Sequence, residues 1–166
     1  MSHHKTAKNL AEAFAGESQA NRKYLAFAKK ADEEGYPQAA KLFRAAADAE
    51  TIHAHNHLKA MKGINTTKEN LEAAVSGETF EFKEMYPKMI EEASDESQDE
   101  AGLSFNYANQ VEAIHAGLYQ NYLDGLGNNA DTPIFVCQVC GNTVEGAAPG
   151  ICPICGNPKE KFNEIE

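Results

Sequence analysis

Among the 166 residues there is no tryptophan, and no cysteine occurs before Cys137. Aromatic side chains are sparse at 8%, while Ala, Glu, Lys and Leu crowd the stretch before residue 125, a composition that suits helices. Basic clusters are also missing. A formal net charge of -10 argues against nucleic acid or an anionic membrane as partner, because phosphate binding needs grouped Lys and Arg. No run approaches the roughly 20 apolar residues needed to span a bilayer. The opening MSHHKTAKNL has no apolar segment of the kind that marks a secretory signal. Its His3 and His4 read as solvated, and the expected location is the cytoplasm. No Gly-rich fingerprint follows a strand, so the chain is not expected to bind a nicotinamide dinucleotide itself.

All four cysteines lie between 137 and 155. A disulfide framework belongs to small secreted domains, whereas paired Cys-x-x-Cys units in a chain without a signal read as a metal site. Cys137-x-x-Cys140 and Cys152-x-x-Cys155 each run on into Gly, as CQVCG and CPICG. The small residue lets backbone N–H groups turn toward the sulfurs and stabilise thiolate charge. The spacing fits a tetrahedral four-thiolate site but does not choose the metal: zinc would make a structural ribbon, iron a one-electron carrier.

Turn formers in LGNNADTP, residues 126–133, read as a linker. They divide the chain into a helical domain over 1–130 and a loop-rich metal domain over 131–166. Four helices are expected in the first, as an antiparallel bundle. Helix A covers about Thr6 to Glu34 and stops at Gly35-Tyr36-Pro37. Helix B covers Pro37 to Lys62, with Gly63 as its cap. Helix C covers Thr67 to Ser94, bending near Gly77 and kinked or locally broken at Pro87. Helix D covers Asp99 to Leu126. Short A–B and B–C links make those neighbours antiparallel.

Chemistry shows where apolar stripes are interrupted. On helix B the stripe reads Phe43, Ala46, Glu50, His53, His57, Ala60. On helix D it reads Phe105, Ala108, Glu112, His115, Tyr119, Tyr122. Steps of three and four keep each set on one face, so each stripe carries a Glu-x-x-His pair at its middle. Helix A contributes Glu17 in a row with Leu10 and Tyr24. Helix C contributes Glu81 and Glu84, and Glu78 reads as a decoy for Glu81. Glu17, Glu50, Glu81, Glu84, Glu112, His53 and His115 thus fall at a similar depth. Burying five carboxylates together is prohibitive without counter-charge. Two divalent cations resolve this, and carboxylates with one imidazole per metal suit iron or manganese better than zinc. A Glu from each of two helices with Glu-x-x-His from the other two resembles the di-iron site of ferritin-like bundles. His57 is expected to be a hydrogen-bonded core histidine and His55 a surface residue.

The segments AFAGESQANRKYLAFA, ETIHAHNH, GETFEFKEMYP, VEAIHAGLY and FVCQVCG…GICPICGNPKEKF together resemble rubrerythrins across essentially the whole chain. The resemblance implies a ferritin-like di-iron bundle followed by a rubredoxin-like domain, and reduction of hydrogen peroxide to water. It implies oxygen ligands from Glu17, Glu50, Glu81, Glu84 and Glu112, with His115 a fixed nitrogen ligand. It also implies that His53 exchanges with Glu84 as one iron changes redox state. One iron bound by Cys137, Cys140, Cys152 and Cys155, with zinc a possible substitute, would pass electrons inward from an external NAD(P)H-linked reductase or rubredoxin. Because the linker leaves helix D directly, the cysteine domain is expected to lie far from its own di-iron site. A head-to-tail homodimer would then bring it to the partner's bundle. The competing readings are an oxygen-using iron-oxidising or storage protein and a zinc-ribbon adaptor without catalysis.

Overall fold

The computed structural model describes residues 3–166, with side chains from Lys5 onward, so the expectation for His3 and His4 lies outside the described side chains. The chain divides into two compact units, Met1–Asn65 and Thr66–Glu166. This boundary falls at the B–C link.

The first unit is a helical hairpin of α1 (His3–Glu33) and α2 (Pro37–Ala60). α1 stops where Gly35 adopts φ +80 and the Tyr36 N–H donates back to the Ala31 carbonyl at 2.8 Å. Only glycine takes that left-handed conformation freely. Pro37 then opens α2, where its missing N–H costs nothing. The two helices meet through small side chains: Ala28 and Ala31 on α1, Ala40, Ala47 and Ala54 on α2, all buried. Their backbones can therefore approach closely, and Asn21 ties them by donating to the Ala47 carbonyl at 2.7 Å and the Thr51 hydroxyl at 2.8 Å. At roughly 100° per residue, Glu50 and His53 flank this alanine seam instead of lying in it. The cap of α2 also differs from expectation. Lys62, not Gly63, is left-handed; a Cβ at Gly63 would meet the end of the Leu58 side chain, which would have to shift.

The second unit begins with a capping box. The Thr66 hydroxyl accepts from the Glu69 N–H at 3.3 Å, and the Glu69 carboxylate accepts from the Thr66 N–H at 3.0 Å. These bonds satisfy two of the free N–H groups at the start of α3 (Thr67–Phe80). What sequence periodicity presents as one long helix is three pieces: α3, a π-helical turn at Glu81–Met85, and α4 (Tyr86–Asp95). The cause is Pro87, which has no N–H and whose ring crowds the carbonyl one turn back. The chain widens ahead of it, and the Tyr86 N–H reaches the Glu81 carbonyl five residues earlier. α4 then starts with proline in its first turn. α5 (Asp99–Asp124) packs against α3 and α4.

After α5 the chain folds back on itself: the Asn129 amide donates to the Tyr122 carbonyl at 2.9 Å. A three-stranded antiparallel sheet follows, ordered β2-β1-β3, from β1 (Ile134–Cys137), β2 (Thr143–Glu145) and β3 (Phe162–Ile165). Its register sets Phe135 opposite Val144 and Cys137 opposite Phe162. Buried Cys137, Ala148, Cys152 and Phe162 form its small core, with Phe135, Val144 and Ile154 packed on them. This sheet module rests on α5 of its own chain, whereas the sequence predicts that it lies far from its own di-iron site. The Asn129 turn-back is the reason.

Thr66→Ala removes the capping hydroxyl and is expected to lower unfolding free energy by about 1 kcal/mol. Denaturant titration should show an earlier midpoint with an unchanged slope.

Candidate metal centres

Each helical unit holds one carboxylate–carboxylate–imidazole triad. In the first, Glu17 of α1 joins Glu50 and His53 of α2. In the second, Glu78 of α3 joins Glu112 and His115 of α5; within each triad one ligand atom per residue lies within 4.8 Å of the others. The Glu-x-x-His spacing produces this in both cases, because residues three apart on a helix are neighbours. His53 Nδ1 stands 2.8 Å from Glu50 Oε2, and His115 Nδ1 stands 2.7 Å from Glu112 Oε2. Glu78 Oε1 is 3.8 Å from the same His115 nitrogen. The groups are half-buried. Side-chain exposure is 17% for Glu112, 21% for Glu78 and 27% for His115, and rises to 54% only at His53. Desolvation therefore weighs less than full burial would imply, yet it is felt. Burial, followed by the negative charge of Glu112, pushes the Glu78 and Glu81 carboxyls above their ordinary range, with His115 opposing. A divalent cation among these atoms removes that conflict. Hard carboxylate oxygen with imidazole nitrogen is a donor set for iron or manganese.

Helix C departs from the expected ligand row. Glu78, read from the sequence as a decoy, stands in the triad, and Glu81 is half-buried within electrostatic reach of Glu112 and His115. Glu84 is exposed and belongs to neither triad. The π-helical turn explains both. Glu78 and Glu81 are separated by regular α-helix and share a face, whereas Glu81 and Glu84 span the widened turn, where each residue advances by less than the usual 100°. The expected Glu81–Glu84 pair is thus moved back by three residues. Of the other expectations, His55 is exposed and His57 half-buried. Tyr24 packs with Phe43 at 6.2 Å between ring centres, ordinary aromatic packing.

The four cysteines converge as expected. Their sulfurs lie within 4.8 Å of one another, with Cys137 Sγ 3.7 Å from Cys155 Sγ and Cys140 Sγ 3.6 Å from Cys152 Sγ. A tetrahedron with metal–sulfur bonds of about 2.3 Å has edges of about 3.8 Å, so the thiol cage fits one metal. Two matching knuckles build it. Gly141 and Gly156 are left-handed at φ +84 and +71. The Cys137 N–H donates to Asn142 O at 2.9 Å, and the Cys152 N–H donates to Asn157 O at 2.7 Å. Asn142 and Asn157 also aim amide N–H groups at Cys152 Sγ and Cys155 Sγ, at 3.7 and 3.3 Å. Burial raises the Cys140 thiol well above its ordinary value. Burial also acts on Cys155, but the Asn157 backbone and amide N–H groups and the neighbouring thiols outweigh it and bring this thiol down to about 6. These two asparagines were missed in the sequence. The signal was present in the repeated hexamer C-x-x-C-G-N, at 137–142 and 152–157.

The family model described as rubrerythrin matches residues 8–123, and that described as the rubrerythrin rubredoxin-like domain matches 135–163. Rubrerythrin-2 of Clostridium acetobutylicum is 37% identical, with 95% of each chain covered. Nigerythrin of Nitratidesulfovibrio vulgaris is 34% identical over 95% of this chain and 85% of its own. Among solved structures, mixed-valent nigerythrin aligns at a TM-score of 0.60 with 34% identity, over 96% of this chain and 86% of that one. Fully reduced, all-ferrous nigerythrin aligns at 0.60 with 33% identity over the same shares. These likenesses support iron in both kinds of site, and among the described residues no helix is long and apolar enough to cross a membrane.

Two outcomes check the ligand assignment. Glu78→Gln should reduce the ferrous iron taken up by the full chain by one equivalent, while Glu84→Gln leaves uptake unchanged, as measured by metal analysis after desalting. In metal-free protein the raised carboxyls penalise the fold as pH climbs from their ordinary value of 4.5 through the raised folded-state values. Their stabilising contribution is whole below that range and lost above it. Metal-free Glu78→Gln should therefore melt above metal-free wild type at pH 7 and lose this advantage toward pH 4.

Proposed function

Because the chain belongs to the rubrerythrin family, we propose that it is a non-haem di-iron peroxidase acting in oxidative-stress defence. It reduces hydrogen peroxide to water with electrons from an external NAD(P)H-linked reductase or rubredoxin. The observation that carries this reading is the pairing of two matched Glu/Glu/His triads with a four-thiolate cage in one chain.

Glu17, Glu50 and His53 would hold one iron, and Glu78, Glu112 and His115 the other. Glu81 is the additional carboxylate, half-buried within electrostatic reach of Glu112 and His115. The 54% exposure of the His53 side chain leaves it room to swing. Iron held by these residues would supply two electrons, which with two protons convert one hydrogen peroxide into two waters. The protein contributes placement and protons. Tyr86 keeps its phenolic proton, because burial first, then the charges of Glu81, Glu112 and Glu78, raise its pKa. It is a neutral donor beside a carboxylate-rich site. Dinucleotide chemistry is left to a separate reductase, and the cysteine cage is the entry point for its electrons.

The domain division at 130/131 and the homodimer belong to this proposal, with one change. The chain's own cysteine module carries Thr143 within 2.8 Å of His115, and this contact supports a reading in which it serves that triad without a head-to-tail partner. A demonstrated monomer that re-reduces its di-iron site as fast as the dimer would establish this, and a strict dependence on dimer would restore the exchanged arrangement.

Anaerobically reduced protein mixed with peroxide should lose its ferrous signals much faster than the same protein mixed with oxygen. A faster reaction with oxygen would favour iron oxidation or storage. Cys155→Ser, chemically reduced, should react once with peroxide at the wild-type rate yet fail to turn over with a reductase. Stopped-flow absorbance of the two iron chromophores separates these steps.

A further inference from the structure

One polar contact joins the cysteine module to the triad on α5. His115 turns Nδ1 toward Glu112 and Glu78, and its other ring nitrogen, Nε2, lies 2.8 Å from the Thr143 hydroxyl at the start of β2. That hydroxyl is 3.0 Å from the Gly141 carbonyl, to which its single proton is donated. With the proton committed, the Thr143 oxygen offers the ring only lone pairs. With the hydroxyl proton donated to Gly141, the ring donates from Nε2, and a cation between Nδ1 and the Glu112 carboxylate, 2.7 Å apart, takes the place of a proton there. A neutral imidazole so constrained has its free lone pair on Nδ1, among the carboxylates.

We propose that Thr143 is a positioning residue that fixes the orientation and tautomer of His115, so that Nδ1 is presented as a metal ligand. Thr143 itself is held firmly. It follows Asn142, which is 1% exposed and whose carbonyl accepts from the Cys137 N–H at 2.9 Å; its strand pairs with β1, Thr143 opposite Val136. The folded cysteine module thus acts as a rigid second support for a ligand on a helix. Outer partners of ligating histidines typically change metal affinity 10–100-fold when removed. Thr143→Val keeps the side-chain shape and removes the acceptor, whereas Thr143→Ser keeps the acceptor.

This inference rests on the di-iron reading of the triads, and the test separates the two. Full-length protein with its cysteine site already filled is titrated anaerobically with ferrous iron by calorimetry. The ring N–H of His115 is followed by 1H–15N spectroscopy in the zinc-loaded form. Thr143→Val should weaken one ferrous step about tenfold and lose the slowly exchanging Nε2–H resonance. Thr143→Ser should retain both features. The visible spectrum of the cysteine site reports folding of the module; if Thr143→Val loses it, Thr143→Ser against Thr143→Ala carries the same comparison. Unchanged affinity and an unchanged ring proton in Thr143→Val overturn the role of Thr143 alone, as does a serine variant as weak as valine. Wild-type protein that takes up no iron beyond the cysteine site overturns the di-iron reading and this inference with it.

Discussion

Like charges held close together govern this molecule. Two carboxylates and an imidazole within 4.8 Å make a poor arrangement for protein alone and a good one for a cation. The cost appears in the raised carboxyls of Glu78 and Glu81, and it originates in partial burial and in Glu112. The same physics operates in the thiol cage, where four sulfurs lie within 4.8 Å of one another and two pairs stand 3.6 and 3.7 Å apart. In both places the fold supplies a preformed concentration of donors, and bound metal returns the free energy spent in assembling it.

Repetition is the economical way to make such sites. The two helical units each take one glutamate from their first helix and Glu-x-x-His from a later one, and both histidines direct Nδ1 at the glutamate three residues before. The cysteine module repeats C-x-x-C-G-N, so that one knuckle geometry is used twice and each asparagine guards a sulfur. The likeness to nigerythrin in its mixed-valent and all-ferrous states agrees with two redox-active irons. Glu81 on helix C adds a half-buried carboxylate within electrostatic reach of the second triad.

Much was legible without coordinates because it depends on local spacing. A residue and its third or fourth neighbour share a helix face wherever the helix is regular, and so Glu50 with His53 and Glu112 with His115 paired as read. Gly35-Tyr36-Pro37 stopped α1 for conformational reasons contained in those three residues. Four cysteines in two close pairs converge whatever surrounds them, since a tetrahedral site needs little more than two turns.

The tertiary structure decided what depends on interrupted regularity or on distant partners. Glu78 stands in the triad in place of Glu84 because Pro87 drives a π-helical turn at Glu81–Met85, and spacing rules lose their register across such a turn. The alanine seam between α1 and α2, beside the Glu-x-x-His stripe, was hidden because alanine carries little signal in a hydrophobic pattern. The module's seat on α5 follows from the Asn129 turn-back, and the Thr143–His115 bond joins residues 28 apart. Composition and local periodicity determine which groups are present and which near neighbours share a face. Long-range hydrogen bonds and one proline-driven change of helical pitch determine which of those groups meet.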